Sequence, residues 1–366
     1  MNYTFKILYA IGMIMIVAGH CGNGGIDLLY DWFPPYAVHL GLFMFSSGYF
    51  YKDKAEEAKS SFVWKKVKSL LIPLYLWNFV YGVIVLVLSK FGFTIGAAQM
   101  NFDTLFVAPI MHGHQFAYNM GGWFVIPLFM VQVYNLFLRY VWKRIFKNLN
   151  EYIYFGLNLL IGIAGVGLAI KGYNTGWWLV LVRAMYFVPF YSLGILYNRK
   201  LEKLDKVSNT KYLVAVFLMQ FVIICKFGTS VWYVPSWCNN FYNGPVMPYI
   251  AGFLGIAFWL RIAKILEPLI GKHKWVHTIA DNTYTIMINQ FLGFMMVKTI
   301  FAFANKFIGI FSAFDWNLYK TDIWYYYLIK GAPQTHVIYL VAGIVVPIIM
   351  QKIVNCLISF ARREKE

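Results

Sequence analysis

The chain has 366 residues, of which 60% are hydrophobic and 13% charged, and its mean hydropathy is +0.59. A water-soluble domain is nearer half apolar and a quarter charged, so the composition excludes that class and indicates an integral membrane protein. The net charge of +17 comes from short Lys and Arg clusters between apolar segments. Such clusters are typical of cytoplasmic loops, so we expect contacts with the lipid bilayer and no nucleic-acid binding.

Ten apolar segments approach or reach the length that a helix needs to cross a bilayer. They cover residues 5–21, 36–51, 69–89, 121–140, 152–170, 177–197, 212–227, 246–263, 278–303 and 334–358. The predicted fold class is therefore all-α, a polytopic bundle of about ten transmembrane helices. Since the sequence shows no soluble domain, long linker or internal repeat, residues 1–366 are predicted to form a single transmembrane domain.

The basic residues lie mainly on alternate connecting segments. On the other set of segments and their span ends we count only Lys90, Lys171, Lys226, Lys298, Lys306, Lys320 and Lys330. With an even number of spans, the positive-inside rule predicts a multi-pass protein of the cytoplasmic membrane with both termini cytoplasmic. The outer loops are rich in aromatic residues, which serve either as interface residues or as a surface on which sugar rings stack.

The first apolar segment ends in "IVAGHCGNGG", residues 16–25. It resembles a signal peptide, but His20 occupies a place where cleavage requires a small residue, so we expect a retained first helix. Glycines 22, 24 and 25 are expected to turn the chain at the membrane surface. An imidazole at membrane depth indicates a functional site, because it is costly to bury and exchanges protons near neutral pH. The alternative is a helix-end histidine bonded to head groups or backbone.

The four cysteines, Cys21, Cys225, Cys238 and Cys356, show no spacing typical of a zinc or thioredoxin-like site. Cys21 and Cys238 are both predicted on the outer side, and whether they pair stays open. The "MHGHQ" segment holds His112 and His114, but two histidines without a third ligand favour an acceptor-contacting or solvated loop. No metal is predicted.

Six motifs then follow one another in chain order. They are "ILYAIGMIMIVAGH" (7–20), "LGLFMFSSGYFYK" (40–52), "WKKVKSLLIPLYLWN" (64–78), "GGWFVIPLF" (121–129), "VRAMYFVPFYSLGILYNRK" (182–200) and "IADNTYTIMINQFLGF" (279–294). Together they resemble the acyltransferase-3 family of integral membrane O-acyltransferases. The resemblance implies transfer of an acyl group, usually acetyl, from cytoplasmic acyl-CoA to a hydroxyl of a cell-envelope or exported polysaccharide.

Two positions depart from the family pattern. Members often carry Arg or Lys eleven residues before the histidine, where this chain has Tyr9. The nearest basic residue is Lys6, which is predicted to share the face of His20 because fourteen residues are close to four helical turns. Many members also have His where this chain has Asn289 or Gln290.

The resemblance implies His20 as general base on the acceptor hydroxyl, or as transient acyl carrier. Arg183 is predicted to stabilise the oxyanion, since it lies within a span and has no acidic neighbour in sequence. The alternative for Arg183 is a structural partner of a carboxylate or of backbone carbonyls.

The remaining candidates surround these two residues. For the donor we expect Lys6, Lys65, Lys66 and Lys68 near the phosphates, unless they only set topology, and Ser46 or Ser47 near the thioester, with Gly48 serving helix packing. For the acceptor we expect Trp123 and Phe124 for stacking, His112 and His114 in a loop, and Asn282 and Asn289 lining a cavity or pairing helices. His39 is a secondary candidate.

Other functions stay open at this stage. The chain is alternatively a polytopic transporter or flippase, an inactive scaffold in envelope glycan export, or a membrane acyltransferase of unrelated fold. Internal repeats typical of transporters are missing from the sequence. The oligomeric state and the acceptor sugar do not follow from the sequence.

Overall fold

The computed structural model describes residues 2–21, 32–96, 99–146, 148, 150–228 and 231–363. These residues form helices and no β-strand. The principal helices among them are α1 (Tyr3–Gly19), α2 (Pro35–Tyr49), α3 (Lys59–Ser89), α4 (Ala117–Ile145), α5 (Glu151–Ile170), α6 (Gly176–Leu204), α7 (Asn209–Phe227), α8 (Met247–Ile270), α9 (Thr283–Ile308) and α10 (Thr335–Arg363). Short helices cover Lys54–Glu57, Ala108–Met111, Lys274–Asp281 and Trp316–Thr321. Single π-helical turns occur at Val67–Leu71, Asp103–Val107, Tyr197–Leu201 and Ala304–Ile308.

Within the described residues, eight helices, α3 to α10, are long and apolar enough to cross a membrane. Helices α1 and α2 lie where the first two spans were predicted, but they have only 17 and 15 residues. They rise about 26 Å and about 22 Å, less than the roughly 30 Å hydrocarbon core. The predicted all-α polytopic bundle is confirmed, with two short helices inside it.

The connections between helices gather at two ends of the bundle. The connections α2–α3, α4–α5, α6–α7 and α8–α9 lie at the basic end. Ion pairs there link a helix to a connection: Lys6–Asp281, Arg199–Asp53 and Arg261–Asp205. The connections α1–α2, α3–α4, α5–α6, α7–α8 and α9–α10 lie at the aromatic end and are joined there by hydrogen bonds: Tyr326 to His20, Asn174 to Trp237 and Thr94 to Lys320. This grouping agrees with the charge pattern; that the basic end faces the cytoplasm stays a prediction.

Helix α1 is at the centre and packs against α2, α8, α9 and α10. Its sequence is apolar all round, as expected for a helix buried on every side. Helices α6 and α9 share this interior: 78% and 72% of their most apolar segments are buried. The corresponding share for α7 is 17%, so α7 is peripheral. Residues that contact α1 therefore come from far apart in the chain. Glycines 22, 24 and 25, expected to turn the chain after α1, lie outside the described residues.

Helices α2 and α6 touch backbone to backbone at two glycines. A Cβ atom on Gly48 would lie 1.9 Å from the carbonyl oxygen of Tyr191, and one on Gly194 would lie 1.9 Å from that of Phe45. Small residues permit such close approach between membrane helices. The predicted packing role of Gly48 is confirmed, and Gly194 has the same role on the facing helix.

Arg139 ties the basic end together from inside the protein. Its side chain is fully buried and donates two hydrogen bonds to Glu151, at 2.9 and 3.0 Å, and one to Glu56, at 3.3 Å. A buried charge of this kind requires its partners, because desolvation is expensive. Arg139 therefore contributes an internal ion pair with Glu151 and Glu56 in addition to its positive charge at the basic end.

Replacing Gly48 or Gly194 with Ala is expected to destabilise the protein by at least about 1–3 kcal/mol, because the added methyl meets a backbone carbonyl that cannot rotate away. The measurement is denaturant titration of the detergent-solubilised protein. Gly156→Ala is the control, since nothing lies within 4 Å of a Cβ there, and it should be neutral or slightly stabilising. Equal stabilities for all three variants would refute the close contact.

Removing the charge of Arg139 with Arg139→Met is expected to cost up to about 3–5 kcal/mol, because Glu151 and Glu56 then lose their fully buried partner and keep only the more exposed Arg199 and Lys143. The same titration measures the loss. Arg144→Met is the matched control, because Arg144 is exposed and only stacks over the Tyr140 ring, 5.2 Å away. If both variants lose the same small amount of unfolding free energy, the buried ion pair of Arg139 does not stabilise the protein.

Candidate active site

Two adjoining cavities follow α1 through the bundle. The long cavity, about 230 Å³, is lined by Tyr9, Met13, Ile16, Phe43, Ser47, Leu70, Phe124, Val125, Leu128, Ala280, Thr283, Tyr284 and Met287. The histidine cavity, about 50 Å³, is lined by Ile16, His20, Tyr36, His39, Leu40, Gly121, Trp123, Phe124, Val234, Pro235, Ser236, Met287 and Gln290. The two share Ile16, Phe124 and Met287. Because positions 9, 13, 16 and 20 fall on one helical face, the path runs along α1 and ends at His20.

The imidazole of His20 is oriented by Gln290. His20 Nδ1 lies 3.3 Å from Gln290 Oε1, while Gln290 Nε2 donates to the carbonyl of Met287 at 3.1 Å. The second bond fixes which atom of the amide faces the imidazole. An amide oxygen only accepts hydrogen bonds, so this network assigns the proton to Nδ1 and the free lone pair to Nε2. The arrangement prepares Nε2 as the basic nitrogen.

The α9–α10 connection covers His20 at the aromatic end. The Trp324 ring lies 5.9 Å from the His20 ring, centroid to centroid, and Tyr326 donates its hydroxyl to the His20 carbonyl at 2.6 Å. His336 Nδ1 contacts the carbonyl of Cys21, also at 2.6 Å. The end of α1 is therefore held from above by side chains more than 300 positions away in sequence.

A second histidine, His39, lines the same cavity. It is buried, and its Nδ1 hydrogen-bonds the carbonyl of Pro35 one turn earlier in α2. The sequence had named His39 as a secondary candidate because it shares a helix with Ser46 and Ser47. The structure brings it together with His20, which the sequence could not show.

Arg183 is buried and bonded to backbone carbonyls of two segments at the aromatic end. Its Nε donates to Ser236 at 2.8 Å, and its terminal nitrogens to Met111 and His112 at 3.4 and 3.1 Å. The guanidinium also lies 5.0 Å from the Trp123 ring centroid. Arg183 is not among the described residues that line the histidine cavity, but Ser236 and Trp123 are. This geometry favours the alternative role, a structural partner of carbonyls.

Trp123 and Phe124 are inside the protein, with 9% and 3% of their surfaces exposed. Both line the histidine cavity, so they contact whatever enters it but present no open face for stacking. Gly121 precedes them, and a Cβ there would lie 2.1 Å from the carbonyl oxygen of Met287. The start of α4 can therefore press against α9 and close the cavity wall.

His112 and His114 lie beside the cavity lining. The His114 ring stacks on Trp237, 4.5 Å between centroids, and the His114 backbone N–H donates to His112 Nδ1 at 3.0 Å. Burial and the nearby charge of Arg183 lower the pKa of His114 to about 3, so its ring is neutral at physiological pH. Within the described ranges, no group of three or more His, Cys, Asp or Glu residues is placed to hold a metal ion.

The lysine candidates lie at the basic end of the long cavity. Lys6 forms an ion pair with Asp281, next to the lining residues Ala280 and Thr283. Lys65 and Lys68 are exposed and Lys66 is half-buried on the first turns of α3, just before the lining residue Leu70. Tyr9, at the position that is basic in many family members, lines the cavity itself.

The serines and asparagines separate into two groups. Ser46 is buried, and Ser47 lines the long cavity and accepts a hydrogen bond from Gln132 at 2.9 Å. Neither asparagine lines the histidine cavity: Asn289 accepts from Tyr81 at 2.6 Å, which joins α9 to α3, and Asn282 bonds Thr278 at the basic end. The residue that hydrogen-bonds the His20 imidazole is Gln290. Its signals in the sequence were its place in the late motif and the His that many family members have at Asn289 or Gln290.

The fold and cavities describe a polytopic membrane protein with a narrow internal path that ends at an oriented histidine. A family model described as "Acyltransferase domain" matches residues 2–352. The chain therefore belongs to the acyltransferase-3 family and is a membrane acyltransferase. No curated protein and no solved structure matches it.

Arg183→Lys separates the two roles of Arg183. If it holds the carbonyls of Ser236, Met111 and His112, Lys cannot replace its planar fork, and we expect a loss of about 1–3 kcal/mol in unfolding free energy for each carbonyl left unpaired. Denaturant titration gives this value. Unchanged stability with lost turnover would instead identify an oxyanion role. Lys171→Arg, on an exposed turn, is the control.

Proposed function

We propose that this acyltransferase moves an acetyl group from acetyl-CoA to a hydroxyl of a cell-envelope or exported polysaccharide. The observation that carries the proposal is the pair of adjoining cavities along α1, the second of which is lined by a histidine whose Nδ1 bonds Gln290 and whose Nε2 is thereby left unprotonated. The neutral tautomer suits proton abstraction from a hydroxyl. The class of reaction follows from the family, and the histidine cavity is the proposed place of the reaction.

The shape of the cavities supports a long, thin donor. Most residues that line the long cavity are apolar, with Ser47, Thr283 and two tyrosine hydroxyls as the polar groups. In this proposal the pantetheine arm of acetyl-CoA lies in the long cavity. The phosphates of the CoA remain at the basic end, among Lys6, Lys65, Lys66 and Lys68. The histidine cavity of about 50 Å³ is suited to a small acyl group.

The proposed step joins the acceptor oxygen to the thioester carbonyl carbon. His20 Nε2 takes the hydroxyl proton as this bond forms, and the carbon–sulfur bond breaks when the tetrahedral intermediate collapses. The proton on His20 then passes to the departing thiolate, so the histidine returns to its starting state. Arg183 acts in this scheme as a positioning residue, because it holds Ser236 and Trp123 in the cavity wall.

His20→Ala is expected to lower acetyl transfer by about 10²–10⁴-fold, the usual contribution of a general base. The measurement is transfer of labelled acetyl from acetyl-CoA to envelope polysaccharides by the purified full chain. His273→Ala is the matched control, because His273 is exposed at the basic end.

Equal transfer by the wild type and His20→Ala would contradict the role of His20. A wild type that transfers no label to any polysaccharide would contradict the proposed reaction as a whole. Gln290→Leu adds a finer comparison: we expect a smaller loss than with His20→Ala, since the imidazole remains but its tautomer is no longer fixed.

A further inference from the structure

We propose that Trp324 forms the binding surface for the sugar ring of the acceptor, directly beside His20. This inference rests on the proposed function. It concerns a residue outside the six sequence motifs, the last of which ends at residue 294. It begins from one feature of the aromatic end: a tryptophan that touches the site yet keeps much of its surface open.

Trp324 is partly packed against the site and partly exposed. One part packs on the site, with its centroid 5.9 Å from the His20 ring and 5.6 Å from the Phe291 ring. The residue nevertheless remains 41% exposed at the aromatic end. Trp324 is thus both in contact with the proposed base and accessible from outside the bundle.

The backbone around Trp324 is fixed on both sides. Before it, Lys298 is 1% exposed and donates to the carbonyl of Ile323 at 2.6 Å. After it, Tyr326 donates to the carbonyl of His20 at 2.6 Å. The backbone N–H of Trp324 itself donates to Asp322 Oδ1 at 2.8 Å.

The buried lysine amine of Lys298 is energetically unfavourable at membrane depth. Its use to hold the α9–α10 connection indicates that the position of this connection matters. A side chain held in place before a ligand arrives loses little entropy on binding. Trp324 is therefore preorganised as a contact surface.

The chemistry of tryptophan matches a sugar. The C–H face of a pyranose ring packs against an aromatic face, while its hydroxyls project from the rim of the ring. A sugar that packs on the exposed part of Trp324 is proposed to place one of its hydroxyls beside the neighbouring imidazole. Trp123 and Phe124, to which the sequence assigned this role, are buried and cannot provide such a face.

The first test measures binding without turnover. The full chain is labelled with 5-fluorotryptophan, and the ¹⁹F resonance of Trp324 is assigned by its loss in Trp324→Phe. Chitotetraose, cellotetraose and maltotetraose are titrated in turn. We expect at least one of them to shift the Trp324 signal saturably. The signal of Trp316 should stay in place, since Trp316 is 37% exposed in the same connection but packs on Phe314 and bonds Asn305.

The inference is overturned if none of the three tetrasaccharides shifts the Trp324 signal, or if Trp316 shifts to the same extent. Because the titration uses the intact wild-type chain, a Trp324 variant is needed only to assign the resonance, and Trp324→Phe keeps an aromatic ring at that position.

The second test measures acetyl transfer to the tetrasaccharides. Trp324→Ala is expected to raise the acceptor KM by about tenfold or more and to leave the KM for acetyl-CoA unchanged. Trp324→Phe should retain part of the acceptor affinity. Trp316→Ala should match the wild type in both KM values. A loss of structure would change both KM values together.

The two proposals fail separately. If transfer depends on His20 but Trp324→Ala keeps the wild-type acceptor KM, the role of Trp324 is wrong and the proposed reaction stands. If a tetrasaccharide shifts the Trp324 signal but the wild type transfers no acetyl group, the sugar site stands and the proposed reaction is wrong.

Discussion

The length of α1 is the constraint on which the rest of the structure depends. With 17 residues, this helix rises about 26 Å, less than the roughly 30 Å hydrocarbon core, and its first turn is held at the basic end by the pairs Lys6–Asp281 and Thr4–Glu267. Its other end, His20, is half-buried inside the protein. An imidazole and a helix terminus both need hydrogen-bond partners there, because water is not available to supply them. Gln290 provides the partner for the ring and Tyr326 the partner for the backbone.

Buried cations hold the loops around this short helix. Arg139 binds carboxylates at the basic end, whereas Arg183 and Lys298 bind backbone carbonyls at the aromatic end. Each of the three joins segments that are distant in sequence, and each removes a charge from contact with lipid. The planar guanidinium of Arg183 reaches three carbonyls at once, which an amine cannot do with the same geometry. Among the residues that the structure describes, the aromatic end is thus held by contacts to backbone carbonyls, whereas the ion pairs lie at the basic end.

The sequence predicted the helices and His20, because apolar runs and short motifs are local properties of the chain. It did not predict the partners of His20, since Gln290 is 270 positions away and Trp324 is further still. Hydropathy also cannot tell how deeply an aromatic residue at a helix start is packed, so the burial of Trp123 and Phe124, which we expected to stack on the acceptor, did not follow from the sequence. The carbonyl partners of Arg183 left no trace in the sequence, because every residue type has a carbonyl.

The glycine contacts have a consequence for how this fold changes between relatives. Gly48, Gly194 and Gly121 each place one main chain against another, and main chains cannot adjust their separation by changing rotamers. The separation of α2 from α6, and of the start of α4 from α9, is therefore a property of the backbone, whereas the depth and polarity of the cavities beside α1 depend on side chains such as Leu40 and Phe124. Evolution toward a larger acyl group would accordingly proceed by trimming the side chains at the closed end and would leave the helix arrangement intact.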